Sequence, residues 1–196
     1  MMIIIHHRRN LKAELEDTSP NFGVEIDIRS QGSELILQHD PYSEGESLEE
    51  WLEGYRHRLL ILNVKEEGLE ERLLTMMKVW NIDRFFFLDQ TFPFLIKMAK
   101  QGERRCAARV SEFESTDTAL ALAGLVNWVW VDYFNRFPLS ANSATQLLDA
   151  GLRLCLVSPE LQGHNENTSI KNLRRLLDTE NIPVDAVCTK RPDLWV

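Results

Sequence analysis

The stretch GVEIDIRSQGSELILQHDP, residues 23–41, decides how the fold is read. Apolar and polar residues alternate on both sides of Gln31-Gly32, the pattern of a strand, a tight turn and a returning strand. Taken alone it is a β-hairpin with one charged face. Glu25 and Asp27 fall on the same side of the first strand, roughly 7 Å apart along the chain. Two carboxylates that close repel unless water, a proton or a cation lies between them. The pair is either a solvent-facing stripe or part of a site.

On either side of this stretch, short apolar runs alternate with helical patterns. The strand-like runs are residues 2–7, 23–30, 58–65, 84–90, 106–111, 127–133, 153–158 and 185–190, with ELILQH (34–39) as a hairpin partner to the second. Helical periodicity falls at 47–58, 69–80, 93–102, 116–125, 141–151 and 168–181, and a weaker helix follows the first strand. Ser47 with Glu50 three residues on makes a start signal, and Gly102 and Gly151 lie where helices should end. Most strand runs are continuously apolar, as expected where a parallel sheet is buried on both faces. Eight strands with intervening helices predict an α/β protein, a compact (β/α)8 TIM barrel, with an open doubly wound sheet as the alternative. The barrel would carry a β-hairpin after strand 2. The sequence stops soon after the eighth strand, so the last helix is expected to be reduced or missing.

With 196 residues, 44% of them hydrophobic and 27% charged, the chain reads as one domain, 1–196. A net charge of -8 argues against nucleic-acid binding, which needs clustered Lys and Arg. The one local basic cluster, His6-His7-Arg8-Arg9, suggests an anion site or a solvated strand end. Cys106, Cys155 and Cys188 lie far apart within apolar runs. They read as buried reduced thiols of a cytoplasmic protein rather than disulfides or metal ligands. No apolar run approaches the roughly 20 residues of a membrane span.

In a parallel barrel, catalytic residues sit at the C-terminal strand ends. Those positions hold His6 and His7, Glu25 and Asp27, His39 and Asp40, Asn63 and Lys65, Asp89, Asp132 and Ser158. The polar residues crowd the first three units, a bias that a core-only explanation does not produce. Trp128, Trp130 and Phe85 to Phe87 read as packing, with Trp130 also placed to line a pocket. His164 falls in the loop after the seventh strand.

IIIHHR (3–8), GVEIDIR (23–29), LILQHDP (35–41), Asn-Val-Lys (63–65) and VDAVCTKRPDLW near the end resemble the glycerophosphodiester phosphodiesterases. The resemblance implies a catalytic role for His7 and His39, and phosphate binding by Arg8 and by Lys65. It also implies a metal site on Glu25, Asp27 and Asn63 that takes Mg²⁺ or Ca²⁺. The partner would be a small phosphodiester attacked by its own neighbouring hydroxyl. The residue types suit that chemistry: histidines titrate near neutrality, and a hard cation on oxygen ligands neutralises phosphoryl charge. The chain departs from the family pattern at Asn63, where a glutamate usually stands, and at Arg9, where a glycine does. The insertion that usually follows His-Asp-Pro is missing, and the proline motif after the first helix survives at most as Ser19-Pro20-Asn21. Two functions are compatible with these residues: a metal-dependent phosphodiesterase, or a degenerate relative that binds phosphoesters or acts as a scaffold.

Overall fold

The computed structural model describes residues 2–196. Its strands are β1 (Ile3–His6), β2 (Gly23–Gln31), β3 (Glu34–Leu37), β4 (Glu46–Ser47), β5 (Leu60–Val64), β6 (Phe85–Leu88), β7 (Ala107–Val110), β8 (Trp128–Val131), β9 (Arg153–Val157) and β10 (Ala186–Thr189). Its helices are α1 (Lys12–Glu16), α2 (Leu48–Leu52), α3 (Glu70–Val79), α4 (Phe92–Lys100), α5 (Thr116–Ala121), α6 (Ala141–Asp149) and α7 (Glu166–Thr179).

Eight strands run parallel. β1 pairs with β2 and β10, β2 with β5, and β5 with β6, while β7, β8, β9 and β10 pair in succession. The two remaining neighbours, β6 and β7, meet through one bridge between Phe87 and Cys106, with the Phe87 N–H on the Arg105 carbonyl at 2.8 Å. The sheet therefore curls until its two ends touch, which the open doubly wound alternative would not do. β3 folds back antiparallel on β2, from Ile28 opposite Leu37 to Gln31 opposite Glu34, and β4 extends that ribbon.

Continuous apolar runs form these strands because both faces are covered. Inward residues such as Ile5, Ile61, Phe86, Trp128, Cys155 and Cys188 fill the interior of the curl. Outward residues such as Val24, Ile26, Leu62, Val129, Leu156 and Val187 pack under the helices. Gly23 lies where β2 crowds its neighbours: a Cβ there would stand 2.8 Å from Ile5 Cγ1 and 3.0 Å from the Leu59 carbonyl oxygen. All three cysteines are buried and unpaired. Among the described residues, no helix is long and apolar enough to cross a membrane.

Helix ends show where local signals held. Gly102 and Gly151 follow α4 and α6 with φ of 93° and 82°, the left-handed conformation that glycine adopts without steric cost. The segment expected to be helical over 47–58 is helical only at Leu48–Leu52, and the Ser47 side chain makes no capping bond. The N–H groups of Gly54 and Tyr55 bond back to Trp51 and Leu52 carbonyls, closing a tight turn. Contacts to other parts of the chain then hold the following residues, including His57 Nε2 at 2.8 Å from the Thr18 carbonyl. After β10 the chain makes a single 3-10 turn, Pro192–Leu194, and Trp195 packs into the helix-facing core.

Candidate active site at the C-terminal strand ends

The inward register of β2 sends Glu25 and Asp27 into the mouth of the curl, where they are 1% and 0% exposed. The solvent-facing reading of that strand is therefore excluded. β5 pairs in register with β2 and sets Asn63 directly beside Asp27. Asn63 Nδ2 donates to Glu25 Oε1 at 2.9 Å, and the Arg8 backbone N–H donates to Glu25 Oε2 at 2.8 Å. Arg8 adopts φ of 51°, and this left-handed turn aims its N–H at the carboxylate. Its Nε lies 3.4 Å from Asp27 Oδ2. Lys65 Nζ stands 3.1 Å from Asp27 Oδ1 and 3.6 Å from Asp89 Oδ2. His7 Nε2 is 3.9 Å from Glu25 Oε2.

Thus His7, Arg8, Glu25, Asp27, Asn63 and Lys65 converge at the C-terminal ends of β1, β2 and β5. His39 takes a different place. It lies past the end of β3 on the rim, its side chain 39% exposed and its Nδ1 on Asp40 Oδ1 at 2.7 Å. The Arg29 guanidinium donates twice to the His39 carbonyl, at 3.1 and 2.9 Å, and fixes the backbone there. Among the described residues no bond joins His39 to His7, Glu25 or Asp27. The hydrogen bond from His39, and after it the His39, Arg8 and Arg29 charges, keep the Asp40 carboxyl below its usual range against the cost of desolvation.

The electrostatics of the mouth derive from burial. Desolvation and the adjacent Asp27 charge push the Glu25 carboxyl up to about 7, against the hydrogen bonds from Arg8 and Asn63. Burial, helped by the Arg8 and Lys190 charges, lowers His7 to about 3, while Asp27 works the other way. At neutral pH His7 is therefore a neutral imidazole.

Several partners were not legible in the sequence. Asn10 makes a two-point clasp on Asp27: its Nδ2 donates to Asp27 Oδ2 at 3.0 Å, and its Oδ1 accepts the Asp27 backbone N–H at 2.9 Å. Arg109 continues the charge network across the mouth. Its Nη1 bonds Asp89 Oδ1 at 2.5 Å, its Nη2 bonds Asp132 Oδ2, and its Nε lies 3.4 Å from Glu114 Oε1. A charged residue at an inward position of an apolar strand was the one available signal for Arg109. Asn10 offered none.

Arg9, where the family pattern has glycine, turns away from the carboxylates. Its Nη2 lies 2.9 Å from His6 Nδ1, its Nε donates to Thr18 Oγ1 at 3.1 Å, and its carbonyl accepts the Trp51 indole N–H at 2.9 Å. His6 is tied up in that group. His164 stacks on Tyr133 and sits 2.7 Å from the Phe134 carbonyl, away from the carboxylates. Trp130 is buried inside the curl, and Ser158 bonds Glu160 and the Trp195 indole.

The oxygen atoms here suit a hard divalent cation in type. Asn63 Oδ1 and Asp27 Oδ1 are buried oxygens without a hydrogen-bond partner, and the Lys65 contact to the latter is an ion pair. The donor set is two carboxylates and one amide. No three His, Cys, Asp or Glu side chains among the described residues form a metal-binding group.

No protein-family model matches the chain, and no curated protein matches it in sequence. Solved structures do match in fold. A glycerophosphodiester phosphodiesterase from Agrobacterium tumefaciens superposes with a TM-score of 0.74 at 13% identity, covering 100% of this chain and 99% of that one. A glycerophosphoryl diester phosphodiesterase from Parabacteroides distasonis gives 0.69 at 16% identity, covering 99% and 84%. A tryptophan synthase α-subunit mutant from Pyrococcus furiosus gives 0.59 at 9%, covering 96% and 86%. At these identities the likeness establishes a TIM-barrel-like fold and nothing finer.

Proposed function

We propose that the chain is a (β/α)8-barrel phosphoric diester hydrolase. Its substrate would be a glycerophosphodiester or a similar small phosphodiester with a hydroxyl beside the phosphate. The observation that carries this reading is the convergence of His7, Arg8, Glu25, Asp27, Asn63 and Lys65 on one mouth, in a fold shared with phosphodiesterases. Neutral His7 takes the proton of the attacking hydroxyl through Nε2. His39, oriented at Nδ1 by Asp40, supplies a proton to the leaving oxygen from the rim side as its bond to phosphorus breaks, leaving a cyclic phosphate that a water molecule then opens. Arg8 and Lys65 bind the non-bridging phosphoryl oxygens and offset the charge that builds there. Glu25, Asp27 and Asn63 Oδ1 would hold Mg²⁺ or Ca²⁺. When bound, the cation supplies Lewis-acid neutralisation of the phosphoryl charge. Asn10 keeps Asp27 in position. The buried reduced thiols fit a cytoplasmic setting.

A specific observation favours the second reading, a phosphoester-binding or scaffold protein without turnover. Lys65 and the Asn63 amide already neutralise or cap the carboxylate pair from within the protein. A panel of phosphodiesters incubated with Mg²⁺ or Ca²⁺ separates the two. The hydrolase reading expects alcohol release that falls about 10²–10⁴-fold in His7→Ala and in His39→Ala. Saturable binding with no turnover on any member of the panel favours the scaffold.

A further inference from the structure

At the opposite end of the barrel, the N-terminal strand ends line an open pocket of about 360 Å³, within the range of ligand pockets. Its lining carries a repeated sequence feature. An arginine stands at or just before the start of four strands: Arg58 before β5, Arg84 before β6, Arg105 before β7, and Arg153 opening β9. Parallel topology brings all four to one rim, although the chain as a whole carries -8.

These arginines are not alike. Arg105 is neutralised, gripping Glu103 through Nε at 2.8 Å and Nη2 at 2.6 Å while lying 4.1 Å over the Phe85 ring. Arg153 lies over Trp128 at 5.5 Å, whereas among the described residues Arg58 and Arg84 lie over no aromatic ring. Among the described residues, the guanidiniums of Arg58, Arg84 and Arg153 make no hydrogen bond and no ion pair. Of the two carboxylates in the lining, Asp185 already accepts the Leu154 N–H through Oδ2 at 2.8 Å. Asp83 makes no ion pair with any of the four arginines.

The bottom face of such a barrel ordinarily serves stability. That accounts for Arg105, whose stem covers an aromatic ring while a carboxylate holds its head. It does not account for three unpaired guanidiniums around one concavity in an acidic protein. Guanidinium forks match the oxygens of a phosphoryl group two at a time and stay charged at every physiological pH. We propose that this pocket binds a compact polyanion of the phosphate class, held by Arg58, Arg84 and Arg153, at a site separate from the carboxylate mouth.

Inorganic pyrophosphate is the probe, titrated calorimetrically into the full chain at fixed ionic strength set with sodium chloride. The variants are R84Q/R153Q, whose residues are exposed and whose loss should leave the far-UV spectrum unchanged, and R8Q/K65Q at the other end. The expected result is saturable binding that weakens at least about tenfold in R84Q/R153Q and persists in R8Q/K65Q. Loss in R8Q/K65Q alone would place the anion at the carboxylate mouth and overturn the proposal. So would the absence of saturable binding beyond the response to chloride. Neither result bears on phosphodiester turnover, which the His7 and His39 variants test independently.

Discussion

Replacing Arg109 with methionine keeps the side-chain stem and removes the charge that three carboxylates face. Asp89 and Glu114 are 27% and 40% exposed and can take up water, but Asp132 is 1% exposed and would retain only the Gln162 amide at 2.7 Å. Stripping one partner from a buried ion pair costs about 3–5 kcal/mol. Arg109 is itself one-third exposed, and solvent screening reduces the expected loss to about 2–3 kcal/mol. The pH dependence has a definite sign. Burial already raises the Asp132 carboxyl above its ordinary 3.8, with the Arg109 charge holding it back. Without Arg109 it rises further, so the ionised form costs stability above 3.8, and that cost fades as falling pH protonates the group. Urea unfolding followed by tryptophan fluorescence at pH 5 and pH 8 should show a deficit in R109M that is larger at pH 8. The double variant R109M/D132N should recover at least half of it. An equal deficit at both pH values with no recovery in the double variant would refute the electrostatic account and assign the loss to packing.

The same geometry sets three further outcomes. Asn10→Ala strands the Asp27 backbone N–H and leaves Asp27 Oδ2 only the Arg8 ion pair at 3.4 Å, at a cost of about 1–3 kcal/mol, and calorimetric melting should shift down by about 2–4 °C for each kcal/mol lost. If Glu25, Asp27 and Asn63 hold Mg²⁺ or Ca²⁺ as proposed, affinity should strengthen with rising pH as the raised Glu25 carboxyl gives up its proton, and then level off; titration in two buffers of different ionisation heat should register proton release at pH 6. Asn63→Asp adds a third carboxylate beside Asp27, so the metal-free protein should melt at a lower temperature while affinity at the proposed cation site rises by about one order of magnitude, both readable by melting with and without the ion.

The strand runs were legible because burial on both faces leaves an unbroken apolar signature in the chain. The glycines at 102 and 151 marked helix ends because few other residues adopt positive φ cheaply. Ser47-Glu50 marked where α2 begins, without a capping bond, but a capping pattern describes one helix end and does not set how far the helix runs. Beyond Leu52 the chain is held by contacts to Thr18, distant in sequence.

For the candidate site, period-two alternation put Glu25 and Asp27 on one face, and strand-end placement put His7, Asn63 and Lys65 at the same mouth. Which face was inward depended on the register between β2 and β5, a pairing of residues more than thirty positions apart. The Asn10 clasp, the turning of Arg9 toward His6, the placing of His39 on the rim and the Arg109 network all depend on side chains meeting across elements. The alternation of elements and the chemical types at the strand ends could be read along the chain, because both are written in local periodicity. Closure of the sheet is what buries the carboxylate pair, brings Lys65 and Asn63 to compensate it, and sets four separated arginines on one rim. Burial and charge pairing are properties of the closed sheet, and no single segment carries them.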